Sequence, residues 1–283
     1  MVTTENINKV RETSCNRSKA NKVIGFVPTM GALHKGHISL IRKAKKECDF
    51  LVVSIFINPI QFNLKQDYKC YPRNFTNDKK LLEKEGVDLL FLTKEETMYP
   101  FGSSTYAYED NLSEALCGRL RPGHFEGVCT VLIKLFNIVS PNIAYFGQKD
   151  YQQTLIVRRL VKDFNFPIKI RVLPIIRDQD KLATSSRNIH LNSQTRESSY
   201  CLFQALMLAK DLIESGERSP KKVINQIKKL VNSTKLARID YVEIVNSDNL
   251  KKLNTIRGKI LIALAVYIKK VRLIDNIVLN VKK

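Results

Sequence analysis

Apolar β-branched runs alternate with amphipathic stretches through the first half of the chain, the pattern of a parallel sheet wound with helices. Five strands are predicted, at residues 22–27, 50–57, 87–92, 143–146 and 168–176, each running into a turn that carries Gly, Pro or Asn. Between them, Leu40, Ile41, Ala44 and Cys48 share one face of a helix over 37–48. A second apolar helical segment, 131–138, ends near Pro141. Both helices are expected to pack on the sheet.

The pattern changes after Arg187. Leu202, Ala205, Leu206, Ala209, Leu212 and Ile213 recur at helical spacing, and Ser219-Pro220 reads as an N-cap followed by proline at the first helical position. Three β-rich runs follow at 239–245, 260–268 and 271–281. Only Lys269-Lys270 separates the last two, so they are expected to form an antiparallel hairpin. At 283 residues the chain suits two packed units. The predicted fold is α/β: a Rossmann-like parallel-sheet domain over 1–185, then a smaller α+β domain over 186–283.

Composition narrows the class. An apolar fraction of 44% suits a globular core, and no apolar run reaches the length of a membrane span. The first 21 residues mix Glu5, Glu12, Arg11 and Arg17 and lack the apolar centre of a secretory signal. Six cysteines are scattered without a Cys-x-x-Cys pair, as expected of reduced thiols in a cytoplasmic protein. Lys and Arg total 47 against 27 Asp and Glu, a net charge of +20. The lysines are spread along the chain at helix-surface spacings, the distribution of a solvated surface. No aromatic and basic stripe accompanies them, so neither a specific nucleic acid nor a membrane is expected as partner.

The chemistry-bearing residues begin where the first strand runs into Pro28-Thr29-Met30-Gly31-Ala32-Leu33-His34-Lys35-Gly36-His37 and then a helix. In open parallel sheets ligands bind at the carboxyl ends of strands, and a helix N-terminus there offers free N–H groups to phosphates. His34 and His37 lie three apart in the first turn, each able to donate to a phosphate oxygen. A structural histidine pair and a zinc half-site are the alternatives; zinc would need further ligands, for which His124, His190 and unpaired cysteines are on offer.

Four more segments fall at predicted strand ends: residues 54–62, 121–128, 146–153 and 184–188, reading SIFINPIQF, RPGHFEGV, FGQKDYQQ and TSSRN. With the His-x-Gly-His turn they give the chain a resemblance to the pantothenate synthetase family, ligases of a nucleotidyltransferase superfamily that join pantoate to β-alanine. The likeness runs in order from about Val23 to Asn192 and resumes at Arg272-Leu273-Ile274-Asp275-Asn276.

The resemblance implies that Met30, Gly31, Ala32, Leu33, His34, Lys35, Gly36 and His37 surround ATP. His34 and His37 would meet its phosphates, and His37 would act as acid-base or electrostatic catalyst. Gly147, Gln148, Lys149 and Asp150 match a loop at the ribose and phosphates, with Lys149 neutralising charge as the α-phosphate is attacked. Thr184, Ser185, Ser186 and Arg187 match a phosphate-gripping segment, and Ile176 a position whose backbone meets adenine. Gln61 and Gln153 match the glutamines that hold pantoate. Asn58 and Tyr71 match residues at the β-alanine and pyrophosphate end, Asp78 matches an acidic magnesium-associated position, and Arg121 and His124 support the site. ATP with Mg²⁺, a pantoyl-adenylate intermediate and a homodimer are implied as well.

Two positions depart from the family pattern, Gln148 where glutamate is frequent and Thr184 where methionine or leucine is usual. Both bear on nucleotide affinity. A nucleotidyltransferase that retains the nucleotide in its product is the rival within the fold, and the family contexts of Gln61 and Gln153 argue against it. A basic nucleic-acid-binding module is the rival from another class.

Overall fold

The computed structural model describes residues 1–63 and 65–282, which fall into two compact units. The first comprises Met1–Ser113, Gly118–Gln148 and Gln153–Pro174; the second comprises Glu114–Cys117, Lys149–Gln152 and the chain from Ile175 onward.

In the first unit β1 (Val2–Thr4), α1 (Ile7–Lys19), β2 (Ile24–Thr29), α2 (Lys35–Glu47) and β3 (Phe50–Ile55) come first. The short helix α3 (Lys65–Cys70), α4 (Phe75–Lys84), β4 (Leu89–Leu92) and the single-turn α5 (Glu95–Met98) follow. After α6 (Leu116–Leu120), α7 (His124–Val139), β5 (Ile143–Gly147), α8 (Tyr151–Asp163) and β6 (Lys169–Leu173) complete the sheet region. The six strands are all parallel, in the order β1-β4-β3-β2-β5-β6. Successive strands step outward from β2 through β3 to β4, and on the other side through β5 to β6. The direction of winding therefore reverses between β2 and β5, the place where such sheets leave a ligand crevice.

β3 reads FLVVSI and is buried along its whole length, which is why it lacks apolar-polar alternation: helices cover both faces of a parallel sheet. On one face Leu40, Ile41 and Ala44 of α2 pack with Val27, Leu51, Val53 and Leu90. All five predicted strands form, with ends shifted by at most three residues. The sixth, β1, was not predicted. It has three residues at the sheet edge, partly exposed, paired with Leu89–Phe91 of β4.

The second unit holds α9 (Ser193–Ser199), α10 (Cys201–Glu214), α11 (Pro220–Asn232) and an antiparallel sheet of β7 (Ala237–Asn246), β8 (Gly258–Ile268) and β9 (Val271–Val281), in that order. Alternate residues Ile260, Ile262, Leu264, Val266 and Ile268 of β8 face Leu202, Leu206, Ala209, Val223, Ile227 and Val231 of the two helices. The hairpin turns on Lys269, which takes a left-handed φ of 51°. The Ser219 hydroxyl caps α11 by accepting the N–H of Lys222, with Pro220 at the first position, as predicted. No described helix is long and apolar enough to cross a membrane.

Candidate active site

The turn from β2 into α2 is held by its own sequence. Gly31 and Ala32 both take left-handed φ values, 75° and 49°, which bend the chain so that consecutive N–H groups point one way. The Asp78 carboxylate receives them: Oδ2 accepts from Ala32 N at 2.8 Å and Oδ1 from Leu33 N at 2.7 Å. Asp78 is 2% exposed, and burial pushes its carboxyl above the ordinary value against the opposing pull of the Leu33 and Ala32 donors. Each oxygen thus holds one backbone N–H of the turn, which fixes the carboxylate beneath Ala32 and Leu33. Among the described residues no group of three or more His, Cys, Asp or Glu side chains is placed to hold a metal ion.

The two histidines form a capping box. His34 is the N-cap of α2, its Nδ1 accepting from Gly36 N at 3.1 Å, and the Nδ1 of His37 accepts from His34 N at 3.3 Å. Their rings lie 4.0 Å apart between centroids. A Cβ at residue 36 would stand 2.9 Å from Cε1 of His34, so glycine is what lets that ring fold back over the helix end. The structural role of the pair is compatible with the phosphate role that the resemblance implies. An Nδ1 that accepts an N–H places the proton of the neutral ring on Nε2, so each ring is set as a donor at the N-terminus of a 13-residue helix.

Gln61 adjoins this turn. Its Nε2 donates to Met30 Sδ at 3.0 Å; a thioether is a weak acceptor, so the amide is ready to take a better one. Its Oε1 accepts from Asn58 Nδ2 at 3.1 Å, and its backbone carbonyl lies 2.7 Å from His124 Nδ1. Asn58, 1% exposed, also donates to the Gly127 carbonyl at 2.9 Å and accepts from the Tyr99 hydroxyl at 2.9 Å. Burial pushes the Tyr99 phenol well above its ordinary pKa, keeping it a donor. Asn58 is thus tied to Gln61, to α7 through Gly127 and to Tyr99.

Two members of this network escaped sequence analysis, Tyr99 and the helix position of Gly127. A Cβ at 127 would lie 2.6 Å from the Gln61 backbone nitrogen, so only glycine allows α7 to pack against the 3-10 turn Pro59–Gln61. The glycine in RPGHFEGV was the available signal, but its partner lies 66 residues away in sequence. Tyr71 is buried with its ring edge-on to Phe62, 5.6 Å between centroids, and Arg121 Nη2 lies 3.6 Å from Asp67. Gly147 ends β5, Gln148 opens the 3-10 turn that follows, and Gln153 stands half-buried in the first turn of α8.

In the second unit, Lys149 lies with Nζ 3.7 Å from Asp150 Oδ1, its side chain 19% exposed. Ile176 and Thr184 are brought together: the Ile176 carbonyl accepts from Thr184 N at 2.9 Å, closing a narrow loop. The buried Thr184 hydroxyl donates to Asp178 Oδ1 at 3.0 Å, so the polar residue at this usually apolar position is satisfied inside the loop. Ser185 caps the following 3-10 turn by accepting from Arg187 N at 3.3 Å, with Ser186 and Arg187 half-buried beside it.

A six-stranded parallel sheet with a glycine- and histidine-bearing turn at its point of reversal, entering a helix N-terminus, defines the class: a Rossmann-like nucleotide-binding enzyme. The sequence matches the family model for pantoate-beta-alanine ligase over residues 2–278. It is 47% identical over 282 residues to the pantothenate synthetase of Caldicellulosiruptor bescii, covering all of both chains, and 49% identical over 280 residues to that of Pseudothermotoga lettingae, covering 99% of each.

Among solved structures, pantothenate synthetase from Thermus thermophilus superposes with a TM-score of 0.92 at 38% identity over the whole of both chains. The pantoate-beta-alanine ligase of Francisella tularensis, solved with beta-gamma ATP and beta-alanine, gives 0.80 at 39% identity, covering 98% of this chain and 97% of that one. The chain belongs to the pantoate–β-alanine ligase family.

Proposed function

We infer that the protein joins pantoate to β-alanine in two steps, using ATP to activate the pantoate carboxylate as an adenylate. A carboxylate is a poor acyl donor, because its leaving group would be oxide. In the first step a carboxylate oxygen attacks the α-phosphorus, the bond to pyrophosphate breaks, and pantoyl adenylate forms. In the second, the neutral amine of β-alanine attacks the acyl carbon; the C–N bond forms, AMP leaves with the former carboxylate oxygen, and the amine loses a proton.

The observation that carries this reading is the pinned histidine pair. Two Nε2 donors, oriented by their own backbone bonds at the N-terminus of α2, suit a polyphosphate whose charge grows as pyrophosphate departs. Donors fixed before the reaction need no reorganisation during it. His37 takes the catalytic part, with His34 beside it and with Lys149 and Arg187 as further cations for the phosphates. The turn Met30–His37, the stretch Gly147–Asp150 and the residues Ile176 and Thr184–Arg187 take the nucleotide. Gln61 and Gln153 take pantoate, because amides both donate to its carboxylate and accept from its hydroxyls. Asn58 and Tyr71 take the β-alanine end.

Magnesium is proposed to enter on the ATP phosphates, where this cation commonly keeps its waters and needs few protein ligands, and to screen their charge. Six free cysteines support a cytoplasmic setting, and a homodimer is proposed from the family resemblance.

Incubation with ATP, Mg²⁺, pantoate and β-alanine should yield pantothenate, AMP and pyrophosphate by mass analysis. A product that retains the nucleotide would overturn the reading.

A further inference from the structure

The motif Arg272-Leu273-Ile274-Asp275-Asn276 lies in the first half of β9, on a strand that packs against an apolar cluster, where polar side chains are costly to bury. On this strand Leu273, Ile277, Leu279 and Val281 belong to the apolar cluster formed with α10 and α11. Asp275 falls in the same alternating row, so a carboxylate 3% exposed stands where the pattern calls for a hydrocarbon. Asn276, 4% exposed, faces the other way.

Each has a specific partner. Asp275 receives Arg177 through two hydrogen bonds, Nη1 to Oδ2 at 2.6 Å and Nη2 to Oδ1 at 3.0 Å. Arg177 is in turn fixed to the loop that follows it: its Nη1 donates to the Lys181 carbonyl at 3.0 Å, and its backbone pairs with Ala183. Residues 176 and 184 are the rungs that flank this loop on the nucleotide-assigned side. Asn276 donates through Nδ2 to the backbone carbonyl of Lys149 at 2.9 Å. Neighbouring residues on one rigid strand thus reach two separate segments of the second unit, both of which carry assigned ATP contacts.

We propose that Asp275 and Asn276 are positioning residues for the nucleotide: Asp275 sets the Ile176–Thr184 loop through Arg177, and Asn276 sets the backbone that carries Lys149. This rests on the ATP roles given above to Lys149 and to the loop. A buried carboxylate and amide in a small sheet are not needed for its hydrophobic core; apolar residues would serve packing as well. What they supply is a fixed geometry between the strand and two backbones, and in this unit both lead to phosphate- or adenine-facing residues.

The two halves act on different parameters. The Ile176–Thr184 loop is assigned to binding, so Asp275→Asn should raise the KM for ATP about tenfold with kcat within about twofold. Lys149 is assigned to the transition state, so Asn276→Ala should lower kcat about tenfold while leaving the KM for pantoate unchanged. Pyrophosphate exchange and steady-state turnover are measured on the full-length variants, with active-site titration and thermal unfolding alongside. Should Asp275→Asn fail to fold, Arg177→Lys keeps the charge but loses the fork, and the same rise in KM for ATP is expected.

In a Lys149→Ala background, Asn276→Ala should have no further effect on kcat; a merely structural role would leave its effect intact. Folded variants with wild-type kcat and KM, or a loss explained wholly by a smaller active fraction, would overturn the proposal. A strong effect of Lys149→Ala with none from Asn276→Ala would overturn it while leaving the assigned role of Lys149 standing. Wild-type kinetics in Lys149→Ala itself would remove both.

Discussion

The two units hold their candidate residues by different means. In the parallel-sheet unit the backbone is the scaffold: left-handed turns at Gly31 and Ala32, a capping box at His34 and His37, and N–H groups gathered by one buried carboxylate. In the second unit charged side chains do the holding. Arg177 grips Asp275, and Arg196 Nη2 reaches Asp178 at 2.8 Å while its Nε reaches Asp180 at 2.6 Å. The β2 turn takes its shape from particular residues at fixed short spacing, with one distant carboxylate beneath it, whereas the clamps of the second unit are assembled mostly from side chains far apart in sequence. The first kind of site should therefore respond sharply to single atoms, and the second gradually and with pH.

The largest expected effect is at His37. Replacement by alanine removes both the proposed phosphate donor and half of the capping box. Turnover should fall by about 10²-fold or more, while thermal unfolding reports a loss of only about 1 kcal/mol from the cap. Near-normal turnover at saturating substrates would remove His37 from the mechanism and leave it a capping residue.

Gly127→Ala comes next. The new methyl would meet the Gln61 backbone at 2.6 Å, so the 3-10 turn must move; about 2 kcal/mol of stability should be lost together with pantoate affinity. An alanine variant of unchanged stability would show that α7 and the turn are not in firm contact. Gln61→Ala should weaken pantoate binding about tenfold by calorimetry with little change in folding, since its side chain bonds chiefly to Asn58 and a weak thioether acceptor.

The contrast in how the units are built also explains what the sequence made visible. The β2 turn could be read because its glycines and histidines sit within eight residues and before a helix with a regular apolar face. The strands could be read because β-branched runs mark a sheet buried on both faces. Helix α1 could not: Val10 and Ser14 are its only buried residues, so it presents no apolar stripe, although Asn6 caps it by accepting from Lys9 N. The task of Asp78 was hidden for a different reason. Its partners lie 45 and 46 residues away, and an aspartate near the start of a helix reads as a cap or an ion ligand. Likewise Arg177–Asp275 spans 98 residues, and no local pattern announces it.

A smaller effect probes the second unit. Burial pushes the Asp178 carboxyl up, but hydrogen bonds from Arg196 and Thr184 and the Arg196 charge outweigh it, so it lies below the ordinary value. The stabilisation is present above the unfolded-chain pKa of about 3.9 and is lost as pH falls through the lower folded value. Thermal stability should decline across that acidic window, by about 1 kcal/mol or less for a partly exposed pair. Asp178→Asn should flatten the decline; an unchanged slope would mean that other carboxylates cause it.

Thiol chemistry gives the mildest test, and one on which the units should agree. Burial pushes Cys129 up to about 12 and Cys201 up to about 11, so both stay protonated at neutral pH, whereas Cys15 and Cys70 are exposed. Iodoacetamide should label the exposed pair in the native protein and spare the buried one. Labelling of Cys201 at a comparable rate would show that the helix-on-sheet packing opens readily.

The central claim is that pantoate is activated on phosphorus before the amine takes part, and isotope exchange tests this most directly. With Mg²⁺, ATP and pantoate but no β-alanine, labelled pyrophosphate should appear in ATP, and omitting pantoate should abolish the exchange. Adding β-alanine with oxygen-18 in the pantoate carboxylate should then place the label in the phosphate of AMP, because a carboxylate oxygen attacks phosphorus and leaves with it. Formation of ADP and inorganic phosphate, with no exchange of pyrophosphate, would contradict the adenylate route and leave the pinned histidines at the α2 N-terminus without the task assigned to them.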